Sequence, residues 1–346
     1  MALAIGAATA PRASAQSPAN AMALAGTTQP SADTVVVDDE TEKVLDGAIK
    51  YLVSKQTVNG SWTGPEGHYP IGLTGYAVVA FMATGNQPGE GQYGRNFSHA
   101  VEYLLGCVHD NGFIGGPYPD TSMYEHGIAT IALAEVYGQS RNPALRSKLE
   151  KAVKLIVDCQ NERGGWRYHP VQKDDDLSAT VIQLVALRAG KNCGIDVPQS
   201  TIDRAIAYVK TCRDPATGGF TYQPGGKEGP GFARTAAAIY SLQVCGDYND
   251  PMIAPASNYL FTHLTDKTEW FTYGCNYAAP AEYMIGGNNW KSWYQLMRTE
   301  LLGKVIREGP LTYWEPVDKQ VNSIYATSVY TTILAMPYHY IPLYQR

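Results

Sequence analysis

Apolar segments of two kinds alternate along the chain. The first kind carries Lys, Glu and Arg at helical spacing, as in "TEKVLDGAIKYLVSKQ", and so has one wet face. The second kind is apolar almost all round: "LTGYAVVAFMATG", "YEHGIATIALAEVYG", "SATVIQLVALRAG" and "ARTAAAIYSLQVCG", then the more divergent "GCNYAAPAEYMIGG" and "IYATSVYTTILAMPY". A helix without a polar face belongs inside a protein.

The alternation is periodic. "AIKYL", "AVEYL", "AVKLI", "AIAYV" and "ASNYL" place Tyr51, Tyr103, Leu155, Tyr208 and Tyr259 at intervals of 51–53 residues. Cys107, Cys159 and Cys212 each follow four residues later, which makes them small packing residues at equivalent places in the repeat. Gly-rich turns separate the two kinds of segment: "QTVNGSW", "HDNGFIGG", "QNERGGW" and "RDPATGGF". A shorter outer segment, "WYQLMRTELLGKVIREG", precedes the last inner one. The unit is a helical hairpin, one helix outer and one inner. Hairpins stack into open solenoids or close into rings. Six units with fully apolar inner helices predict closure, an all-α (α/α)6 toroid over residues 43–346.

Residues 1–42 lack this period. They are rich in Ala, Ser and Pro, and "MALAIGAATA" followed by "ASA" resembles a truncated secretory signal. The expectation is a signal-like or disordered tail and an exported, periplasmic or extracellular protein, in which disulfides are allowed but not required. The bulk numbers narrow the partners. Net charge is −5 over 346 residues, with 17% charged residues. No basic stripe suits nucleic acid, and no apolar run approaches a membrane span.

Two of the Gly-rich turns, Gln56–Gly60–Trp62 and Gln160–Gly164–Trp166, fit Q-x-x-x-G-x-W. This is the QW motif of the prenyltransferase and squalene-oxidase repeat, found in squalene–hopene cyclases and other class II terpene cyclases. The chain resembles that family over nearly all of its length after the tail. It is similar to single-toroid bacterial members, as in planctomycetes, in "MYEHGIATIALAEVYG", "GPGFARTAA" and "PYHYIPLYQR". The resemblance implies the toroid, a structural motif in which the Gln amide bonds backbone groups left open at helix ends while the Trp ring covers it, and an apolar, isoprenoid-like ligand in a central cavity.

Class II cyclases protonate an alkene or epoxide with D-x-D-D. Here Asp174 and Asp176 fit, but Leu177 stands at the last position. The resemblance puts Asp176 in the acid's place, with Asp174 and Asp175 as electrostatic neighbours. On the residues alone, Asp176 or Ser178 caps the following inner helix. Protein prenyltransferase β-subunits share the ring and hold zinc. Cys275 and His126 come from repeats five and two, too far apart to share a metal, so neither metal nor cofactor is expected.

Aligning the inner segments produces a column of Thr74, His126, Thr180, Thr235, Tyr277 and Thr327. One reading is a polar collar that binds ligand; the other is hydroxyls satisfying carbonyls one turn back. Tyr76, Tyr240, Tyr277, Tyr283, Tyr325 and Tyr330 fall on inner segments. Such rings stabilise cations, bind sugars or fill cores. His126, Thr180, Thr235, Tyr277 and Tyr325 are the candidate ligand contacts.

Two alternatives follow. Arg167, His169 and Lys173 lie in one loop with the three aspartates, which suits an exported carbohydrate-active enzyme of the polysaccharide-lyase kind. A non-catalytic binding or scaffold module, shaped like the thioester-containing domain of complement proteins, needs no acid motif; the G-C-G-E-Q-type sequence of that domain is missing.

Overall fold

A computed structural model of the chain describes residues 35–115, 122–264, 270–317 and 322–344. The signal-like segment up to residue 34 lies outside them. Val35–Arg346 form one compact unit.

Six helices carry the half-polar pattern and lie outside: α1 (Asp39–Lys55), α3 (Gly94–Gly106), α5 (Pro143–Asp158), α7 (Gln199–Thr211), α9 (Ile253–His263) and α11 (Gly287–Lys304). Six carry the apolar pattern and lie inside: α2 (Pro70–Ala83), α4 (Ser122–Ser140), α6 (Leu177–Asn192), α8 (Phe232–Val244), α10 (Phe271–Ile285) and α12 (Ser323–Ala335). Each inner helix packs on two inner neighbours, and α12 packs on α2, so the ring closes. The architecture is the (α/α)6 toroid that the repeat predicts.

Three particulars differ from the expectation. Helix α1 begins at Asp39 rather than after residue 42, because the Asp38 carboxylate accepts the Thr41 amide at 2.9 Å and caps it. The last outer helix is not short: α11 runs to 18 residues. Its predicted tail "VIREG" instead starts a hairpin, β1 (Ile306–Glu308) with β2 (Leu311–Tyr313), which packs on α1. Cys107, Cys159 and Cys212 sit at the C-caps of α3, α5 and α7, and among the described residues no disulfide joins any cysteines.

The Gly-rich turns join the repeats. Gly60, Gly112, Gly164 and Gly218 have φ of 81–90°. Each lies against the backbone of the next outer helix. A Cβ on Gly164 would stand 2.3 Å from the Arg204 carbonyl oxygen, and one on Gly112 2.2 Å from that of Lys151. Only glycine allows both the left-handed turn and the approach.

The Gln and Trp side chains of these turns divide the work differently from the expectation. Trp62 Nε1 donates to Leu52 O at 2.7 Å, and Trp166 Nε1 to Ile156 O at 2.8 Å. Trp314 Nε1 donates to Leu301 O at 2.8 Å. These are carbonyls of the last turn of α1, α5 and α11, which have no helical partner. The tryptophan, not the glutamine, therefore closes the helix end. Gln56 Nε2 bridges Gly60 O and Asn96 O, and Gln160 Nε2 bridges Gly164 O and Thr201 O, at 2.8–2.9 Å. The glutamine ties its own turn to the next outer helix.

Candidate functional site

The N-terminal ends of the inner helices ring a cavity of about 860 Å³. Its wall holds at least one tyrosine from each repeat: Tyr69 just before α2 and Tyr76 within it, Tyr124 of α4, Tyr168 and Tyr222 of the turns before α6 and α8, Tyr273 of α10 and Tyr325 of α12. Their rings support one another. Tyr76 meets Tyr325 edge to face at 4.7 Å between centroids, and Tyr124 lies 6.0 Å from Tyr168. The hydroxyls of Tyr168 and Tyr222 are 2.7 Å apart. Backbone bonds fix the two loop tyrosines: Tyr168 O accepts the Met123 amide and Tyr222 O the Leu177 amide. Burial pushes the Tyr76 phenol up to about 12 and raises Tyr124, Tyr222 and Tyr273 as well. These four stay neutral at ordinary pH.

Of the candidates, Tyr325 lines this cavity and Tyr277 stands behind it, edge-on to Tyr273 at 5.0 Å. The expected polar collar is something else. Thr74 accepts the amide of Trp62 (3.1 Å), His126 that of Ile114 (3.0 Å) and Thr180 that of Trp166 (3.1 Å). Thr235 accepts from Phe220 (2.9 Å) and Thr327 from Trp314 (3.2 Å). All five are fully buried and pin a turn to an inner helix. None lines the cavity. Thr74 also bonds the carbonyl one turn back, Pro70 O, at 2.6 Å.

His126 uses Nδ1 as the acceptor, so the proton sits on Nε2, 3.2 Å from Ala152 O. Burial lowers its pKa to about 4, and the imidazole is neutral.

The three aspartates part company. Asp174 is exposed. Asp175 is buried and takes two bonds from Arg163, Nε to Oδ2 at 2.7 Å and Nη2 to Oδ1 at 2.8 Å, with a third from Asn161 Nδ2. Asp176 is the N-cap of α6, with Oδ1 accepting the Ala179 amide at 2.8 Å. Its Oδ2 lies 3.7 Å from Arg167 Nε. Burial raises this carboxyl to about 6, against the pull of the Ala179 amide, the Tyr222 hydroxyl and Arg167. Asp176 is fully buried and outside the cavity wall; Ser178, two residues on, lines it.

The wall also contains groups that the helix alignment passes over. Glu125 lines it at 3% exposure, with Oε1 accepting the Gly72 amide of the neighbouring helix at 3.1 Å. Trp270, 47% exposed, stands at the rim with Glu66, His68, Glu228 and Arg234. A signal for several of these exists. Tyr76, Tyr124, Tyr168, Tyr222 and Tyr325 each lie two positions from a partner of a turn-pinning bond: Thr74, His126, Trp166, Phe220 and Thr327. On a helix two positions are about 200° apart, so one side chain points outward and the other into the ring.

The model of the prenyltransferase alpha-alpha toroid domain matches residues 93–274. The chain belongs to this family. Within the toroid family, the squalene–hopene cyclase of Alicyclobacillus acidocaldarius is 27% identical over 119 residues, 34% of this chain and 17% of the cyclase. The match therefore spans a small part of that enzyme. Three solved toroids share the fold. The type II terpene cyclase MstE from Scytonema superposes with a TM-score of 0.58 and 13% identity, over 88% of this chain and 100% of its own. The cellobiose 2-epimerase from Spirochaeta thermophila gives 0.64 and 13%, over 86% and 95%. The α-1,6-mannanase GH76A of Salegentibacter gives 0.64 and 9%, over 87% and 99%. At these identities the likeness is one of fold, which terpene cyclases share with sugar-active enzymes.

Proposed function

We propose that this protein is a terpene-cyclase-like ligand-binding toroid that takes an apolar, isoprenoid-like molecule into the tyrosine-ringed cavity. The observation that carries the reading is the wall itself, with at least one tyrosine from each of six repeats around a single space. Ring faces and the aliphatic side chains of Leu73 and Ile128 offer dispersion contacts to a hydrocarbon. Neutral phenols add hydrogen bonds for a polar end.

Proton transfer is not part of the proposal. The Asp176 carboxylate is engaged in capping α6, Arg167 faces its second oxygen, and Asp175 is held by Arg163. A sugar is the second reading, favoured by the paired Tyr168 and Tyr222 hydroxyls and by Glu125 in the wall.

Trp270 at the rim provides the assay, because the other five tryptophans, Trp62, Trp166, Trp290, Trp293 and Trp314, are buried away from the cavity wall. Farnesol and squalene are titrated against cellobiose and mannotriose while tryptophan emission is followed. Saturable change with the isoprenoids, weakened by Tyr76→Ala and Tyr325→Ala, is expected. Saturation by a sugar with no response to either isoprenoid replaces the first reading with the second.

A further inference from the structure

The far end of the ring, opposite the tyrosine-lined mouth, is closed by the chain itself. After α12 the backbone turns at His339, which has φ of 60°. Residues 340–344 then fold back over the C-terminal ends of the inner helices and meet each of them. Tyr340 lies against Gly85, just past the end of α2. The Leu343 amide donates to Glu135 Oε2 of α4 at 3.3 Å. The turn Pro342–Tyr344 packs on α6 and α10. Tyr344 stands edge-on to Tyr240 of α8 at 6.2 Å between centroids, and shares a small void with Thr332 of α12. His339 Nδ1 pairs with the Tyr283 hydroxyl of α10. Ile341 and Leu343 are buried, while Tyr340 faces water.

Glu135 is the buried acid of this seal. The ionisable groups near its carboxyl are Tyr240, Tyr344 and the Cys193 thiol that follows α6. The surrounding protein raises all three, so they stay neutral and offer no counter-charge. Arg141, just past α4, donates to Cys193 O at 2.7 Å and lies over the Tyr137 ring. Among the described residues no cation of α2, α3, α5 or α6 pairs with Glu135. Burial holds its proton up to about 7, against the pull of the Leu343 amide. One amide does not replace the water that a carboxylate gives up on burial. With the segment lifted away, water returns and the acid reverts to its ordinary 4.5. The closed arrangement therefore keeps the proton where the open one has lost it. Closure weakens as pH rises from about 4.5 to about 7, by about 300-fold in all.

We infer that residues 339–344 are a movable cork seated by the protonated form of Glu135, and that loss of this proton opens a second mouth at the far end of the ring. The hinge is His339, whose left-handed backbone is uncommon for a residue with a Cβ. Tyr344 comes near Tyr76 of the cavity wall, so the cork backs onto the cavity. The device works whatever the cavity binds.

Hydrogen exchange of the full chain tests this, read on peptides covering the cork and α4 at pH 5 and pH 8 and corrected for the intrinsic exchange rate at each pH. Protection of the Ile341, Leu343 and Tyr344 amides falls by at least about tenfold at pH 8, while the α4 amides keep theirs. In Glu135→Gln, which keeps an oxygen for the Leu343 amide and cannot ionise, the cork stays equally protected at both values. If circular dichroism shows that this variant does not fold, Glu135→Met takes its place. It lacks the acceptor, so the cork opens more, but by the same factor at pH 5 and pH 8. If neither variant folds, the wild-type profile decides alone. Equal cork protection at the two pH values overturns the inference. So does a loss shared with α4, which is unfolding of the ring rather than movement of a cork, or a pH response that survives in a folded Glu135 variant.

Discussion

Replacing Gly164 by alanine puts a methyl group 2.3 Å from the Arg204 carbonyl oxygen and 2.7 Å from its carbon, with φ at 90°. Two costs follow. The left-handed backbone conformation costs about 1–2 kcal/mol for a residue with a Cβ. The turn must also back away from α7 by roughly an ångström to reach ordinary contact distance. That movement stretches the bond from Gln160 Nε2 across to Thr201 O, 2.9 Å, beyond useful length. It is worth about 1 kcal/mol. The expected loss is therefore about 2–3 kcal/mol. Gly246→Ala is the control, because Gly246 has φ of 105° and nothing within 4 Å of its missing Cβ. It carries the backbone cost alone, about 1–2 kcal/mol. Urea unfolding followed by circular dichroism compares the two. A gap of about 1 kcal/mol is the signature of the close approach between turn and outer helix. Equal losses would refute the argument that contact with α7, rather than φ, demands glycine.

Four further outcomes follow from the geometry. Thr180→Val leaves the buried Trp166 amide without its acceptor and costs about 1–3 kcal/mol, while Thr180→Ser costs much less; equal midpoints would remove the turn-pinning role. Asp176→Ala destabilises by about 1 kcal/mol through loss of the cap and Asp176→Asn by less, read from melting temperatures. Burial raises Asp176 to about 6 and Glu135 and Glu282 to about 7, so the folded chain holds these protons more tightly than the unfolded one. Stability then falls as pH rises from about 4 through 7, and Glu135→Gln with Glu282→Gln flattens the profile; a melting temperature that climbs over that window contradicts it. His126 stays neutral with its proton on Nε2 down to about pH 5, checked by the nitrogen shifts of the labelled ring.

The ring was legible because its signal is a period. Tyr51, Tyr103, Leu155, Tyr208 and Tyr259 recur with the repeat, and half-polar segments alternate with apolar ones. The cap at Asp176 was legible from its place before an apolar run. The wall was not. Thr180, Thr235 and His126 do form an aligned column, but on the side that faces the turns. A helix such as α6, buried on nearly every face, has no polar stripe to show its rotation about its own axis. An alignment then finds equivalent positions without saying which way they look. Tyr168 and Tyr222 escaped for another reason: they belong to turns, where helical spacing says nothing. Tyr240 and Tyr330 are on inner helices as expected, yet they pack against Tyr344 and Trp314 in the core.

The bond that pins each turn asks little of the side chain that accepts it. Four repeats use a threonine hydroxyl and one an imidazole nitrogen, and the donor is always a backbone amide. Closure of the ring and lining of the cavity are thus written in different letters, often two positions apart. A lineage can rewrite the lining one repeat at a time, tyrosine by tyrosine, without touching the clasps. The same circular frame can then be refitted for guests as unlike as a hydrocarbon and a sugar.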